Sequence, residues 1–285
     1  MIDRSTKFLI VGLGLMGGGY AKALSKKGYN VSALTLEQKD IDYALERGMI
    51  VSGATFPDEK LISSANIIVF AVYPKIFIKW INENQHMIRP GTLITDVTGV
   101  KTCIVDEIQS ILRKDVEFIA AHPMAGREQS GVEFSDDKIF QGANYIVTPT
   151  PLNTPHAIET CKQLGEILGF GKISELTPEK HDEMIAFLSQ LTHVIAVTLM
   201  TCNTREGLEK YTGDSFRDLT RIAKINDLMW SELFMLNKDA LLEQIDRFSA
   251  ELEKMRRYLA ENDRESMRQM MRTSTERRKL FDKKI

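Results

Sequence analysis

Two short patterns in the chain carry the residue types that could do chemistry. Gly12, Gly14 and Gly17 follow an apolar run and precede a helical stretch, which is the context of a dinucleotide-binding turn. About a hundred residues later, His122 ends a second strand-like run. A histidine at a strand end is usually structural, but at the mouth of a dinucleotide-binding fold it could take a hydroxyl proton while a nicotinamide takes a hydride.

The glycine turn is expected to hold the pyrophosphate of the cofactor. Gly12 permits the tight turn, Gly14 lets the backbone approach the phosphates, and Gly17 lets helix and strand pack closely. The amides of Leu15 and Met16, at the start of the helix, can donate to the phosphates. The alternative is a glycine turn that binds nothing, and the strand–turn–helix context favours the cofactor.

The second strand, expected over residues 30–36, should carry the residue that discriminates NAD from NADP. An acidic residue at its end would hold the ribose 2′-hydroxyl of NAD, but Thr35 stands where a simple count places it. In that case no carboxylate repels a 2′-phosphate, and Lys39 is near enough to help bind one. If the strand runs longer, Glu37 restores an NAD site. The predicted cofactor is therefore NAD or NADP.

Two further loops are expected at the carboxyl edge of the sheet, where ligands bind in open α/β folds. Val72 and Pro74 lie where the chain would turn over the cofactor, although a proline there is also an ordinary loop terminator. The run from Thr95 to Lys101 closes the next strand, and the hydroxyl of Thr98 could line the nicotinamide pocket.

The second half of the chain supplies candidates for binding the substrate. Ser189, Gln190 and His193 share one face of a helix predicted over residues 178–204, so Gln190 and His193 are expected to face the substrate. His181 lies twelve residues before His193, about 120° around the helix, and is interpreted as structural or peripheral.

A pair of arginines indicates an anionic substrate. Arg217 and Arg221 lie four residues apart, and a guanidinium can bind a carboxylate through two parallel hydrogen bonds. For Arg217 an internal ion pair with Asp214 or Asp218 is an equally good interpretation.

The elements that must position these groups follow two patterns. Up to about residue 176, short β-branched runs alternate with helical stretches, which predicts an α/β fold with a doubly wound, mostly parallel sheet. From Thr177 glycine becomes rare and the helical period takes over. We therefore expect a dinucleotide-binding domain over residues 1–176 and an all-α domain over residues 177–285. Besides the second strand, strands are predicted at residues 7–11, 66–72, 92–96, 117–121, 145–149 and 172–176.

The all-α domain contains an apolar seam with alternating spacings of four and three, which needs an apolar partner surface. The spacing leaves open whether that surface belongs to the same chain or to a second copy in a dimer. Residues 262–285 are rich in lysine and arginine and predict a solvated final helix. The seam consists of Leu241, Ile245, Phe248, Leu252, Met255 and Leu259.

The composition of the whole chain points to a small-molecule ligand. Its 285 residues include 37 basic and 39 acidic side chains, which suggests neither a nucleic acid nor a membrane surface as partner. Cys103, Cys161 and Cys202 lack metal-ligand spacing, so no metal site is expected. Their odd number, and the lack of a signal-peptide pattern, favour the cytoplasm.

Taken together, these motifs resemble the prephenate dehydrogenase family through nearly the whole chain and in the family's order. The resemblance implies a Rossmann domain followed by a helical dimerisation domain, hence a homodimer. It also implies NAD(P)-dependent oxidative decarboxylation of prephenate to 4-hydroxyphenylpyruvate in tyrosine biosynthesis. The residues that carry it are Gly12 to Gly17, Asp96 to Lys101, His122 to Gly131, His181, Asp182, His193, Phe216 to Ala223, Met229 and Trp230.

The resemblance also implies roles for single residues. His122 would hydrogen-bond the ring hydroxyl of prephenate, and His193 would contact the substrate from the helical domain. Arg221 would bind a substrate carboxylate, preferably the one on the ring. Glu128 would belong to an ionic network at the pocket entrance.

The chain departs from the family pattern at Gly99, where relatives usually have a serine that shares the substrate hydroxyl with His122. Only Thr98 next door offers an oxygen, so Thr98 is the candidate to replace it. Arogenate dehydrogenase is the alternative within the enzyme class. A dinucleotide-binding sensor without turnover is the alternative outside it, favoured only by Gly99. The chain is also expected to lack the regulatory domain that some relatives append.

Overall fold

A computed structural model describes residues 1–127 and 129–282 of the chain. Contacts within the chain divide it into two compact units, residues 1–237 and residues 238–285. The boundary expected between residues 176 and 177 lies inside the first unit and stays a prediction.

Six strands form a parallel sheet in the first unit: β1 (Lys7–Val11), β2 (Asn30–Leu34), β3 (Ser52–Ala54), β4 (Ile67–Phe70), β5 (Leu93–Asp96) and β6 (Glu117–Phe118). Their order is β3-β2-β1-β4-β5-β6, which confirms the doubly wound parallel sheet. The chain runs outward from β1 to β3 and then returns to place β4 beside β1. Ligands of such sheets bind outside the carboxyl ends of the strands where this order reverses.

Three more strands form a second sheet: β7 (Ala120–Pro123), β8 (Asn144–Thr148) and β9 (Lys172–Glu175). The single strand predicted over residues 117–121 is wrong, because the chain leaves the first sheet after β6 and β7 pairs antiparallel with β8. His122 consequently lies within β7, opposite Ile146, instead of following a strand.

The first unit contains ten α-helices within its described residues, two of which are joined by a short π-helix. The π-helix, Ala186–Gln190, joins α7 to α8 in one continuous helical stretch. The helices are α1 (Leu15–Lys26), α2 (Gln38–Glu46), α3 (Glu59–Ser64), α4 (Pro74–Asn84), α5 (Thr102–Ile111), α6 (Pro155–Leu168), α7 (Pro178–Ile185), α8 (Leu191–Thr201), α9 (Asp214–Thr220) and α10 (Asp227–Leu236).

Both faces of the parallel sheet are covered. Phe8 and Ile10 belong to one buried cluster, and Leu9 and Val11 to another, because successive residues of a strand point to opposite faces. Leu233 of α10 is part of the second cluster. Helix α10 is therefore anchored to the sheet that carries the predicted cofactor turn.

The stretch Pro178–Thr201 is long and apolar enough to cross a membrane, by length and composition alone. Part of it packs against α5, and less than a third of its most apolar part is buried within the chain. Its exposed apolar side chains include Phe187 and Leu188. This surface is available to a partner.

The second unit consists of α11 (Lys238–Ala260) and α12 (Arg264–Arg278), as the helical period predicts. The apolar seam lies on α11. Leu241 is buried, whereas Leu252 and Leu259 are 59% and 60% exposed. None of the residues of α12 is buried, as expected of a solvated helix.

Candidate active site

The turn between β1 and α1 is tightly packed on one side and open on the other. Gly12 has a φ of +99°, and a Cβ there would lie 2.5 Å from the carbonyl oxygen of Ala71. A Cβ on Gly17 would lie 1.9 Å from the carbonyl oxygen of Gly12. A Cβ on Gly14, by contrast, would meet no described atom within 4 Å. Space at the middle glycine and close packing at the outer two fit the pyrophosphate of a dinucleotide.

The other predicted cofactor residues lie around this turn. Leu15 and Met16 begin α1, whose N-cap has no side-chain hydrogen bond within the described chain, so the first amides are left for an anion. A Cβ on Gly12 would approach Cγ1 of Val72 to 2.7 Å, which places Val72 beside the turn. Pro74 is buried as the first residue of α4, which is also the position of an ordinary helix-starting proline.

The end of β2 lies two residues earlier than expected. The strand ends at Leu34, and the amide of Thr35 donates to the carbonyl oxygen of Ala54 next to it. Thr35 therefore occupies the strand end, and Glu37 is the N-cap of α2. Of the two interpretations left open by the sequence, the structure supports the one without a carboxylate at the strand end.

The loop after β5 contains a buried ionic cluster. Nζ of Lys101 lies 2.7 Å from Oδ2 of Asp96, and both side chains are fully buried. Oγ1 of Thr98 accepts from Lys101 Nζ at 3.0 Å and donates to the Asp96 carboxylate. The other Asp96 oxygen accepts from the amide of Ala121 at 3.1 Å. The cluster ties this loop to β7, and burial lowers the pKa of Lys101 despite Asp96.

This cluster corrects the role predicted for Thr98. Its hydroxyl is engaged with Asp96 and Lys101 and does not take the place of the missing serine. Gly99 is the residue of the loop that faces the predicted base. A Cβ on Gly99 would lie 3.9 Å from Nε2 of His122 and 3.5 Å from Cδ1 of Leu233.

His122 is joined to a chain of hydrogen-bonded side chains that spacing along the helix did not reveal. Its Nδ1 lies 2.8 Å from Nε2 of His181, and Nδ1 of His181 lies 2.8 Å from Oδ1 of Asp182. The Asp182 carboxylate also accepts from the backbone amides of Lys101 and Thr102, each at 2.8 Å. His181 is therefore not peripheral: it is fully buried and lies between His122 and Asp182.

Burial determines the charge of these groups. The pKa of His122 is held well below 6.5, first by burial and then by the neighbouring His181 and Lys101. The pKa of His181 is also lowered, chiefly by burial, although Asp182 opposes the shift. Burial raises the pKa of Asp182, but hydrogen bonds from His181 and Thr102 outweigh it, so the net shift is downward. At neutral pH the hydrogen-bonded series His122, His181 and Asp182 therefore consists of two neutral imidazoles and one carboxylate.

Gln190 is part of the scaffold and does not face a ligand. It is buried, Nε2 donates to the carbonyl oxygen of Leu233 at 3.1 Å, and Oε1 accepts from Asn237 Nδ2 at 2.8 Å. Asn237 Nδ2 also donates to the carbonyl oxygen of Asp182 at 2.9 Å. The predicted role of Gln190 in substrate binding is thus corrected, because both ends of its amide hold the C-terminal end of α10 against the π-helix.

His193 is half-buried on α8 and stacks on an aromatic ring. Its imidazole lies 3.7 Å from the ring of Trp230, centroid to centroid, and Nδ1 lies 2.8 Å from the carbonyl oxygen of Ser189. Arg221 begins a 3₁₀ turn, Arg221–Ala223, that packs against α8. The structure therefore brings the element with Arg221 next to the helix with His193.

Arg217 lies on the exposed surface of α9. Its Nη2 lies 2.5 Å from Oδ1 of Asp214, and Nη1 donates to the carbonyl oxygen of Thr212 at 2.9 Å. These contacts favour the internal ion pair over a substrate carboxylate. Glu128 lies outside the described residues, and its place in an ionic network stays a prediction.

Sequence reasoning missed His181, Asp182 and Lys101 as parts of the site. The adjacent His181 and Asp182, just inside a helix that follows a strand, were a usable signal. The angle between His181 and His193 on the helix gave no indication of its role, since the partner of His181 is His122 on β7. Among residues 1–127 and 129–282, no group of three His, Cys, Asp or Glu side chains is arranged to hold a metal ion.

These features define a class of protein. A parallel sheet of Rossmann order, a glycine turn with space for a pyrophosphate and a neutral, partly buried histidine belong to a dinucleotide-dependent oxidoreductase. Family models of the prephenate dehydrogenase nucleotide-binding domain and dimerization domain match residues 20–172 and 177–273. The chain belongs to the prephenate dehydrogenase family.

Individual relatives agree with this assignment. The chain is 29% identical to prephenate dehydrogenase of Bacillus subtilis over 95% of this chain and 74% of the relative. It is 26% identical to cyclohexadienyl dehydrogenase of Zymomonas mobilis over 89% and 88% of the two chains. Prephenate dehydrogenase from Aquifex aeolicus, solved with hydroxyphenyl propionate and NAD+, is 28% identical, with a TM-score of 0.91 over 99% of this chain and 100% of that one.

Proposed function

We propose that the chain oxidatively decarboxylates prephenate to 4-hydroxyphenylpyruvate, a step of tyrosine biosynthesis. The observation that carries the proposal is the placement of His122. Its imidazole is kept neutral by burial, and Nε2 lies next to Gly99 in the loop after β5, whose carboxyl end lies at the ligand-binding edge of the sheet.

The reaction needs a group that can take a proton and return it. Bound NAD or NADP would supply the hydride acceptor, with Gly12, Gly14, Leu15, Met16 and Gly17 holding its pyrophosphate. Nε2 of His122 accepts the hydroxyl proton while hydride leaves the carbon that bears the hydroxyl. The bond to the ring carboxylate then breaks, its electron pair enters the ring, and carbon dioxide leaves. The phenol oxygen recovers its proton from His122, and the aromatic product makes the step effectively irreversible.

The substrate is a dianion and needs cations. We assign the ring carboxylate to Arg221 and a further substrate contact to His193, because the turn with Arg221 packs against the helix with His193. Replacing Arg221 by Ala is expected to raise the KM for prephenate much more than it lowers kcat. An unchanged KM would show that a different cation binds the carboxylate.

A direct assay tests the reaction itself. Reduction of NAD and NADP is followed at 340 nm with prephenate and with arogenate, in four mixtures. Turnover of prephenate is expected, and His122→Asn should lower kcat by about 10²-fold or more while cofactor affinity is kept. No reduction in any mixture at high protein concentration would overturn the enzymatic function.

Arogenate is the second candidate substrate. A relative bears the name cyclohexadienyl dehydrogenase, and both prephenate and arogenate are cyclohexadienes that carry the same ring hydroxyl and ring carboxylate. They differ in the side chain, where arogenate has an ammonium in place of the keto oxygen. The same four mixtures decide between them through the two values of kcat/KM.

We further propose that the working form is a cytoplasmic homodimer. The seam residues Leu252 and Leu259 are exposed in the single chain, and so are Phe187 and Leu188 on the apolar helical stretch. Apolar seams of this spacing are stabilised by packing against a second apolar surface. The matching dimerization-domain model, residues 177–273, includes all four.

A further inference from the structure

The contacts of the Asp182 carboxylate determine where every proton in the hydrogen-bonded chain resides. Oδ1 and Oδ2 each accept a backbone amide, from Lys101 and from Thr102. Amide donors on both oxygens favour the ionised carboxylate, which can only accept hydrogen bonds. The nitrogen of His181 that faces it, Nδ1 at 2.8 Å, must therefore be the protonated one.

The protonation state of His181 in turn determines that of His122. A neutral His181 with its proton on Nδ1 presents a bare Nε2 to Nδ1 of His122, 2.8 Å away. Nδ1 of His122 must then carry the proton and donate. A neutral His122 consequently has a bare Nε2, and this is the nitrogen next to Gly99. The opposite tautomer of His122 would place two bare nitrogen lone pairs against each other, with no proton between them.

We propose that His181 and Asp182 are positioning residues for proton transfer, which hold His122 in the tautomer with a free Nε2 lone pair toward the substrate and stabilise the imidazolium that forms. This inference rests on the proposed function, in which His122 is the proton acceptor. It goes beyond that function because neither residue touches the substrate hydroxyl. Without His181 and Asp182, the free lone pair of His122 could equally lie on Nδ1, which faces away from the substrate.

The chain of contacts also explains where the positive charge goes. When Nε2 of His122 takes the hydroxyl proton, the proton on Nδ1 is drawn toward His181, whose Nδ1 proton is bonded to the Asp182 carboxylate. The nearby cation Lys101 is already paired with Asp96. Asp182 is thus the anion that balances the transient charge, and the proton returns by the same path when the phenol oxygen recovers it.

The wild-type protein supplies the first test, which needs no variant. The chain has five histidines, so selective ¹⁵N labelling yields a small set of imidazole signals that single substitutions can assign. In the NAD-saturated protein at pH 7.5, His122 is expected to show a protonated Nδ1 and an unprotonated Nε2. A proton on Nε2 of His122 would overturn the proposal whatever the activity of the variants.

Substitutions at His181 provide the second test. His181→Leu removes the acceptor for Nδ1 of His122 and should lower kcat by about 10²-fold, within the range of general base catalysis, with KM and cofactor affinity changed less than about threefold. His181→Gln can present an amide oxygen to the same Nδ1, and it should recover part of the activity and keep the His122 tautomer. The matched control is His156→Leu, since His156 is exposed on the surface, and it should behave as wild type.

The outcomes separate this inference from the proposed function. If the wild type turns over prephenate but His181→Leu keeps both kcat and the His122 tautomer, the positioning role is wrong and the function stands. Equal losses in the Leu and Gln variants, with the tautomer unchanged, would also overturn it in favour of a purely structural role. If the wild type turns over neither substrate, the proposed function fails, while the ¹⁵N measurement still decides the tautomer.

Discussion

A histidine becomes a useful base here because of what surrounds it. Burial lowers the pKa of His122 well below 6.5, and the neighbouring His181 and Lys101 lower it further. The imidazole is therefore neutral at physiological pH and free to accept a proton. Lys101 does not add a net charge to the pocket, because its ammonium is bonded to the buried carboxylate of Asp96.

Gly99 leaves room beside this base that a serine could use. A Cβ would stand 3.5 Å from Leu233 and 3.9 Å from Nε2 of His122, which are ordinary contacts. Gly99→Ser should fold normally and add one hydrogen bond to the substrate hydroxyl, about 1 kcal/mol, or about fivefold in kcat/KM. Gly99→Ala is the matched control and should show no gain. A serine variant no faster than the alanine variant would show that the site already satisfies the hydroxyl in another way.

Thr35 governs the choice of cofactor in our interpretation. Because it stands at the end of β2 without a carboxylate, the wild type should accept both NAD and NADP. Thr35→Asp should favour NAD by about tenfold or more in the ratio of the two kcat/KM values, since a carboxylate repels a 2′-phosphate. Thr35→Asn has the same size without the charge, and it should leave the ratio near that of the wild type. An unchanged ratio in Thr35→Asp would place the 2′ position elsewhere, toward Glu37.

At the scale of elements, one strand break and one π-helix arrange the site. The change of sheet between β6 and β7 places His122 opposite β8 and within reach of α7. The π-helix Ala186–Gln190 adds a residue per turn, so angles counted at 3.6 residues per turn do not carry across it. Gln190 ends the π-helix and His193 follows it, and they contact the same element, α10, through Leu233 and Trp230.

Two glycines of the turn before α1, Gly14 and Gly17, have different surroundings, so substitutions there should have different effects. Gly14→Ala places a methyl group in space that a pyrophosphate needs but touches no described atom, so it should weaken NAD binding by about tenfold or more at unchanged Tm. Gly17→Ala drives a methyl group into the backbone of Gly12 and should lower Tm by several degrees as well. Binding is measured by calorimetry and Tm by thermal melts. Equal losses of Tm in both variants would contradict the assignment of the open side to the cofactor.

At the scale of the whole molecule, two neutral histidines, one partly and one fully buried, couple folding to pH. His122 and His181 have lowered pKa values in the folded protein and about 6.5 when unfolded, so the unfolded chain binds more protons as pH falls. The stability they contribute is present above pH 6.5 and is lost as pH drops below that value.

We therefore expect the free energy of unfolding to decrease between pH 7.5 and pH 5.5. The slope contributed by each histidine is at most about 1.4 kcal/mol per pH unit. Denaturant titrations at several pH values measure it, and His122→Asn should reduce the slope by up to that amount. An identical pH dependence in wild type and variant would mean that folding does not lower the pKa of His122.

The proposed dimer can be tested at the exposed apolar seam of α11. Leu252→Asp and Leu259→Asp, made together, place charges on the exposed apolar seam of α11 and should shift the protein from dimer to monomer in analytical ultracentrifugation. The control is Leu152→Asp, a similarly exposed leucine in a loop of the first unit. A double variant that remains a dimer would place the interface elsewhere.

Much of this protein was determined by local sequence. Patterns of a few neighbouring residues predict the glycine turn, most strands of the parallel sheet and the change to helices at residue 177. They also mark His122 as a candidate proton acceptor. Strand β3, Ser52–Ala54, escaped prediction because three small residues carry no apolar period.

What only the tertiary structure decided are pairings between residues far apart in the chain. Gln190 looked suited to a ligand, but its amide is used by Leu233 and Asn237, which are 43 and 47 residues away in the chain. His181 looked peripheral, but it meets a histidine 59 residues away. The physical reason is common to all of them: a buried polar atom must find a partner, and in these cases its partner comes from another element, which periodicity along one helix or strand does not specify.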